Sequence, residues 1–320
     1  MLLHSSELST VTTDEQEVRV RKQAGSQNNA KHCLQREIRA LVYLKENGLD
    51  FGYRGHAEDY SFIELERRGT HDLSDAKVDL TRLEMLTILA ETAIQLSEIH
   101  KLGYVHRDLK PGNIMLERID KNYRFAGLID FGLSLQKNTP QNEAGATGGT
   151  RVFAHQSQFN PETIARYGQD WYSYAMIVLT ITRGLAISVE SELNSERKLS
   201  LFLDNAQIGD LNVQNYLNSL QELIDLAVDC RTLDTTTEHL REAGVKLVGS
   251  AKTILPILQD KASWRRNRWM NLPPRTRSLK IKSHDVLVII DETGSIASQM
   301  ENIKQVLNDS IEEFRDAMDL

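Results

Sequence analysis

The sequence is short of several things, and each shortage excludes a class of protein. Of 320 residues only two are cysteine, Cys33 and Cys230. That rules out a disulfide-stapled scaffold and fits a reducing compartment. No apolar run approaches the ~20 residues that a membrane-spanning helix needs; stretches such as 175–179 are far shorter. The N-terminus lacks a charged start followed by an apolar run, so no secretory signal is expected. An excess of cations is missing too. Lys and Arg number 38 against 45 Asp and Glu, a net charge of −7, which argues against a general nucleic-acid binder. No internal repeat is present, and no glycine precedes Gly25. What is there, 40% hydrophobic and 26% charged residues, is ordinary soluble globular composition. The length allows about two domains with real cores. A soluble, cytoplasmic protein is the expectation.

Periodicity places the elements. Val18-Arg19-Val20-Arg21-Lys22 alternates and predicts a strand. Residues 1–17 are polar; a strand fits at 10–13, but the stretch before it reads as too short for a further strand and a turn. Over 30–45 a stripe of Leu34, Ile38, Leu41 and Leu44 predicts a helix, with Gly48 just past its end. Glu37 lies on that stripe, where a carboxylate needs a cation to offset its desolvation. Residues 60–65 predict another strand. The clearest helix covers 81–101, where Leu86, Leu89, Ala90, Ala93, Leu96 and His100 recur at helical spacing before Gly103. Two short strands, 114–116 and 126–129, bracket a polar turn. Residues 133–149 are rich in Gln, Asn, Thr and Gly and predict a long loop, which inside a domain is usually functional. The pattern is helical over 171–182 and again over 201–258. Strands first and helices later is α+β order.

The character changes at 261. Lys261, Arg265, Arg266, Arg268, Arg275, Arg277, Lys280 and Lys282 occur with no acidic residue between Asp260 and Asp285, and Pro273-Pro274 sits among them. This predicts a basic linker over 259–283. Its Trp264 and Trp269 are expected to pack on preceding helices rather than bind nucleic acid. A strand at 286–290, a loop at 291–295 and a helix at 298–318 follow.

The chemistry concentrates in two segments. Val105-His106-Arg107-Asp108-Leu109-Lys110-Pro111-Gly112-Asn113-Ile114-Met115 contains His-Arg-Asp-Leu-Lys-Pro-x-Asn. Seven specified residues at average usage give a chance match of about 10⁻⁹ per position. Leu128-Ile129-Asp130-Phe131-Gly132 follows in the right order. Here the chain resembles the eukaryotic-type protein serine/threonine kinase family, over about residues 18–258. The resemblance implies a two-lobed fold of α+β class, with a small β-rich lobe (about 1–66) and a large helical lobe (about 67–258).

It also implies transfer of the γ-phosphate of ATP to a protein hydroxyl. Such chemistry needs in-line positioning and neutralised phosphate charge more than covalent help. By the resemblance, Asp108 orients the substrate hydroxyl and Lys110 reaches the γ-phosphate. Asn113 and Asp130 are the expected ligands of Mg²⁺ (or Mn²⁺), which favours hard oxygen donors. Lys110 is similar to the serine/threonine branch. Lys22 looks like the lysine of the family's third strand and Glu37 like its helical partner. Ile63-Glu64-Leu65-Glu66 resembles the hinge that meets adenine, so Glu64 and Glu66 are expected at the nucleotide. Gly149-Thr150 is similar to the pair preceding the substrate-facing loop, and Asp170 to the helical aspartate that holds the catalytic loop. Phe131 and Gly132 complete the metal-loop motif. Arg107 is expected to collect a loop phosphate, with Ser134, Thr139 and Thr147 as acceptors.

The pattern also departs from the family. The glycine-rich loop is missing, and Ser5-Ser6 stand where glycines should approach phosphate. The Ala-Pro-Glu motif is reduced to about Ala154-His155-Gln156, and its arginine partner is absent from Asp229-Cys230-Arg231-Thr232-Leu233-Asp234-Thr235. An alternative reading is therefore a pseudokinase or kinase remnant that serves as a nucleotide- or partner-binding scaffold. Past the linker, Val286-Leu287-Val288-Ile289-Ile290-Asp291-Glu292-Thr293-Gly294-Ser295 resembles the first strand and metal loop of a von Willebrand factor A-type domain. Asp291, Thr293 and Ser295 would be its ligands, but residues 284–320 are too few for a core. The chain is expected to be cut from a longer fusion. Expected partners are a protein substrate and A-type domain or phosphatase proteins of the same system.

Overall fold

A computed structural model describes residues 2–5, 9–14, 18–26, 29–76, 80–120, 122–142, 148–183, 211–229 and 237–270. The A-type tail, with Asp291, Thr293 and Ser295, lies outside the described residues, as does Thr147.

The first lobe is a five-stranded antiparallel sheet carrying one helix. Its strands are β1 (Leu2–Ser5), β2 (Ser9–Thr13), β3 (Arg19–Ala24), β4 (Tyr53–His56) and β5 (Phe62–Glu66). Their spatial order is β1-β2-β3-β5-β4. The N-terminal stretch that looked too short for two strands holds both, with Leu2 opposite Thr12 and Ser5 opposite Thr10. Four residues suffice for a strand when a neighbour's backbone is available to pair with it. In β3 the odd positions are exposed and Val20, Lys22 and Ala24 are half-buried. A period of two thus turns Lys22 away from solvent, toward α1 (Ala30–Glu46). Helix α1 buries Leu34, Glu37, Ile38, Leu41 and Leu44 on its sheet-facing side, the predicted stripe with its carboxylate included.

The lobes join at 67–69. Gly69 has φ +64°, and a Cβ there would collide with the Leu116 carbonyl oxygen. Only glycine lets the connecting chain lie this close to the strand beneath it.

The second lobe is mainly helical: β6 (His71–Asp72), α2 (Leu73–Ala76), α3 (Arg82–Lys101), β7 (Tyr104–Val105), β8 (Ile114–Ile119), β9 (Asn122–Leu128), β10 (Leu135–Gln136), α4 (Tyr167–Arg183), α5 (Leu211–Asp229) and α6 (Thr237–Met270). Helix α3 starts with a capping box, Thr81 bonding the Glu84 N–H and the Glu84 carboxylate returning to Thr81. Such a cap contributes about 1 kcal/mol. The other Glu84 oxygen accepts the Tyr123 N–H at 2.9 Å, so the cap also fixes β9. Helix α4 is buried nearly all round, as its apolar sequence demands. Its Trp171 ring lies on Gly244 of α6, where a Cβ would collide with it.

Two expectations on extent change. The hairpin β8–β9 is longer than 114–116 and 126–129, because backbone pairing continues through the polar residues to Ile119 opposite Asn122. Helix α6 runs on to Met270, so the first ten residues of the basic run continue a helix. Lys and Arg are good helix formers, and no proline intervenes between Pro256 and Pro273. Among the described residues no helix is long and apolar enough to cross a membrane.

Candidate active site

The segment Val105 to Asn113 leaves β7, turns through an extended loop and ends in one 3₁₀ turn, Pro111–Asn113. Its backbone is pinned from below by Asp170. One carboxylate oxygen accepts the Arg107 N–H at 2.7 Å; the other accepts the His106 N–H at 2.7 Å and meets His100 Nε2 at 2.9 Å. Burial alone would raise the Asp170 carboxyl, yet the His100 hydrogen bond and surrounding donors outweigh it and hold the group below its ordinary range. Arg107 adopts φ +66°, a left-handed conformation that carries strain for a non-glycine residue. The bonds to Asp170 offset that strain. His100, legible in the sequence only as a member of the α3 stripe, is thus part of the support.

Asp108 stands at the top of this loop. Its Oδ1 accepts both the Thr150 N–H (3.2 Å) and the Thr150 hydroxyl (2.9 Å). Its Oδ2 pairs with Lys110 Nζ at 2.8 Å. Asn113 Nδ2 donates to the Asp108 carbonyl at 2.8 Å, which leaves its amide oxygen as the free donor atom for a cation.

The second motif follows β9. Asp130 also has a positive φ, +66°. Its Oδ1 lies 2.9 Å from Lys22 Nζ, and Lys22 Nζ lies 2.8 Å from Glu37 Oε2. One ammonium therefore serves two carboxylates. Burial would lower the Lys22 ammonium, but Asp130 and Glu37 together hold it well above its ordinary range. Burial likewise pushes Asp130 up, and Lys22 overrides it, so this carboxyl stays far below the carboxylate range. Glu37, the most enclosed of the three, is instead pushed up by burial against the pull of Lys22. Asp130 keeps 37% of its side-chain surface exposed, Glu37 only 2%. The half-exposed Asp130 carboxylate and the buried Asn113 amide oxygen are hard donors that suit a divalent cation completed by phosphate oxygens. Among the described residues no group of three or more His, Cys, Asp and Glu side chains gathers into a cage.

Phe131 is buried between the lobes, its ring 4.7 Å from Phe51 and 4.8 Å from His106. Arg36 Nε donates to the Gly132 carbonyl at 3.0 Å, a tie from α1 to the metal loop that adjacency to Glu37 alone did not signal.

Two assignments move. Glu64 pairs with Arg21 on the sheet surface, and Glu66 pairs with Arg54. Both belong to β5, whose backbone is committed to β3 and β4. The chain that runs between the lobes begins only after Glu66, and both carboxylates are engaged by arginines. Arg107 is also placed otherwise than expected. Its side chain is 0% exposed, with Nη1 on the Leu133 carbonyl (3.2 Å) and Nη2 on Gln141 Oε1. Ser134, one expected acceptor, is itself buried, its hydroxyl donating to the His106 carbonyl. Gln141 and Gln158 escaped the sequence reading. In a polar loop a glutamine looks solvated, and nothing local marks these two as buried. In the degraded tripeptide 154–156, Gln156 is exposed and the buried glutamine is Gln158.

Comparison with known proteins agrees with this geometry. The family described as protein kinase domain matches residues 11–238, well over half of the chain. Human ribosomal protein S6 kinase alpha-6 is 30% identical over 141 residues, 42% of this chain and 18% of that protein. Ribosomal protein S6 kinase 2 beta of Xenopus laevis is 29% identical over 141 residues, covering 42% of this chain and 21% of its own length. The chain thus spans about a fifth of the curated relatives it matches. Motif order, the Lys22–Glu37–Asp130 cluster and the family match converge: the chain belongs to the protein kinase domain family.

Proposed function

We propose that the protein transfers the γ-phosphate of ATP to a serine or threonine hydroxyl of a protein substrate. The observation that carries this reading is the meeting of Lys22, Glu37 and Asp130 across the lobes, beside an Asp108 already oriented by Thr150. Lys22 holds phosphate oxygens, with Glu37 fixing the direction of its ammonium. Asp130 and Asn113 hold Mg²⁺, which supplies charge neutralisation at the phosphates when bound. Asp108 orients the incoming hydroxyl and accepts its proton. Lys110, now on Asp108 Oδ2, turns to the transferring phosphoryl group as charge builds there. A reducing compartment with ATP at hand, the cytoplasm, suits this chemistry and the free thiol of Cys33.

A second reading, a nucleotide-binding scaffold, has one observation in its favour: no glycine precedes Gly25, so β1 and β2 are joined without the glycines by which the family's loop approaches phosphate. The two part in one experiment. The full chain is incubated with labelled ATP, Mg²⁺ and a generic basic protein. The wild type is expected to transfer label, and Asp108→Ala to abolish transfer while still being stabilised against heat by Mg-ATP. Thermal stabilisation of the wild type with no transfer would replace the enzyme reading by the scaffold.

A further inference from the structure

We infer that Gln141 is a positioning residue that does the work expected of a loop phosphate, so that the substrate-facing segment is docked without phosphorylation. The inference rests on the kinase reading of the site.

The amide of Gln141 is fully buried and uses every bonding group it has. Its Oε1 accepts from Arg107 Nη2, and its Nε2 donates to the Ser157 carbonyl (3.0 Å) and to the Thr163 hydroxyl. Its backbone N–H donates to the Thr163 carbonyl at 3.1 Å. One side chain thus ties the catalytic loop to the segment 157–163. A second glutamine works from the other side: Gln158 Nε2 donates to the Arg107 carbonyl at 2.6 Å. Arg107 is clasped by Asp170 and Gln158 at its backbone, and by Leu133 and Gln141 at its fork.

A phosphate would have to enter this clasp to meet Arg107. Both fork nitrogens are taken by neutral oxygens, and the remaining Nε is enclosed with no acceptor among the described residues. The charges around it are mixed: burial and the Arg36 cation lower the Arg107 guanidinium, to about 10, against the opposing charge of the Asp170 carboxylate. What keeps a phosphate out is occupancy, and the occupant does something a phosphate cannot. A phosphate offers oxygens only, whereas Gln141 also donates two N–H bonds to the substrate-facing segment. The consequence reaches Asp108, because the chain leading into that segment begins at Thr150, whose carbonyl accepts the Ala154 N–H and whose own N–H and hydroxyl hold Asp108 Oδ1.

The test separates a need for charge from a need for this crosslink. The full chain is stripped of any phosphate by a broad phosphatase, with removal confirmed by intact mass. Hydrogen exchange is then read at the amides of Ala154, Gln158, Asn160 and Thr163, all bonded within the segment. The stripped wild type is expected to keep its protection and its transfer rate. Gln141→Ala is expected to lose protection there by on the order of tenfold and to raise KM for the protein substrate, with KM for ATP unmoved. Gln141→Glu can pair with Arg107 but turns an oxygen on the Ser157 carbonyl, so it is expected to be impaired as well. Loss of protection on phosphatase treatment, an unaltered Gln141→Ala, or a Gln141→Glu faster than wild type would each overturn the inference. The exchange arm decides it even if the wild type transfers nothing, a result that would sink only the kinase reading.

Discussion

Two carboxylates hold this site together, and they are built in opposite ways. Asp170, in the helical lobe, is fully buried and faces backbone N–H groups and one histidine. Its partners are two backbone N–H groups of the catalytic loop and a histidine of α3, all enclosed with it. Asp130, between the lobes, stays partly open to solvent and faces a lysine that it shares with Glu37. That arrangement is made of exchangeable charges. The first carboxylate fixes geometry; the second waits for a cation and phosphates to rearrange it. A scaffold built of directional hydrogen bonds to backbone tolerates no substitute, whereas an ion cluster with one open face can trade partners without unfolding.

The sharpest way to break that comparison is at Asp170. Asp170→Ala leaves two loop N–H groups and His100 unpaired in a dry interior, a loss of roughly 3–5 kcal/mol. For a domain of this size that is about 6–20 °C in Tm by calorimetry. The milder Asp170→Asn gives a pH signature. Because the folded carboxyl sits below its ordinary range, its stabilisation is complete above the unfolded value near 3.9 and is lost as pH falls through the folded value. The stability gap between wild type and Asp170→Asn is therefore expected to be constant near neutrality and to close under acid. A gap that widens toward low pH would show that Asp170 is not held as an anion.

At the ion cluster the readout changes from stability to transfer. Lys22→Met is expected to lower phosphoryl transfer by about 10²–10³-fold, the usual consequence of deleting a preorganised charge at a reacting phosphate. Glu37→Gln keeps the ammonium and loses its guide, so its loss is expected to be smaller, with most of the change in KM for ATP. Equal losses in the two variants would mean that Glu37 acts on the nucleotide itself rather than through Lys22.

How much of this was legible depended on how local each signal was. Asp108, Lys110 and Asn113 in one short run, and Asp130 in another, carried the resemblance to the family, so these positions could be singled out from the sequence. Lys22 and Glu37 could be paired because a period of two turns the lysine inward and a carboxylate on an apolar stripe demands a cation. Asp170 was singled out by the resemblance alone. Gln141 and Gln158 did not show at all, because their burial is imposed by segments distant in sequence. The strand β1 was missed for the same reason: four residues acquire strand structure from the neighbour they pair with, not from their own composition. The surface pairing of Glu64 and Glu66 was not visible either, since a hydrophobic strand does not say where its sheet ends.

The smallest expected effect is the one that calibrates the rest. Arg21 and Lys22 are adjacent cations, each paired with a glutamate, on opposite faces of β3. Arg21 meets Glu64 with 48% and 33% of the two side chains exposed. Its guanidinium also lies 4.3 Å over the Phe62 ring. Water screens such a pair, and its net contribution is about 0–1 kcal/mol. Arg21→Met is therefore expected to shift Tm by a few degrees at most and to leave transfer unchanged, since β3 turns this side chain away from Asp130. The two methionine variants differ by one position in sequence and by a full side of the sheet in space. Should Arg21→Met depress transfer as deeply as Lys22→Met, charge summed over the lobe would matter rather than an ammonium at a fixed place. The contrast between a directional scaffold and a tradable ion cluster would then lose its second half.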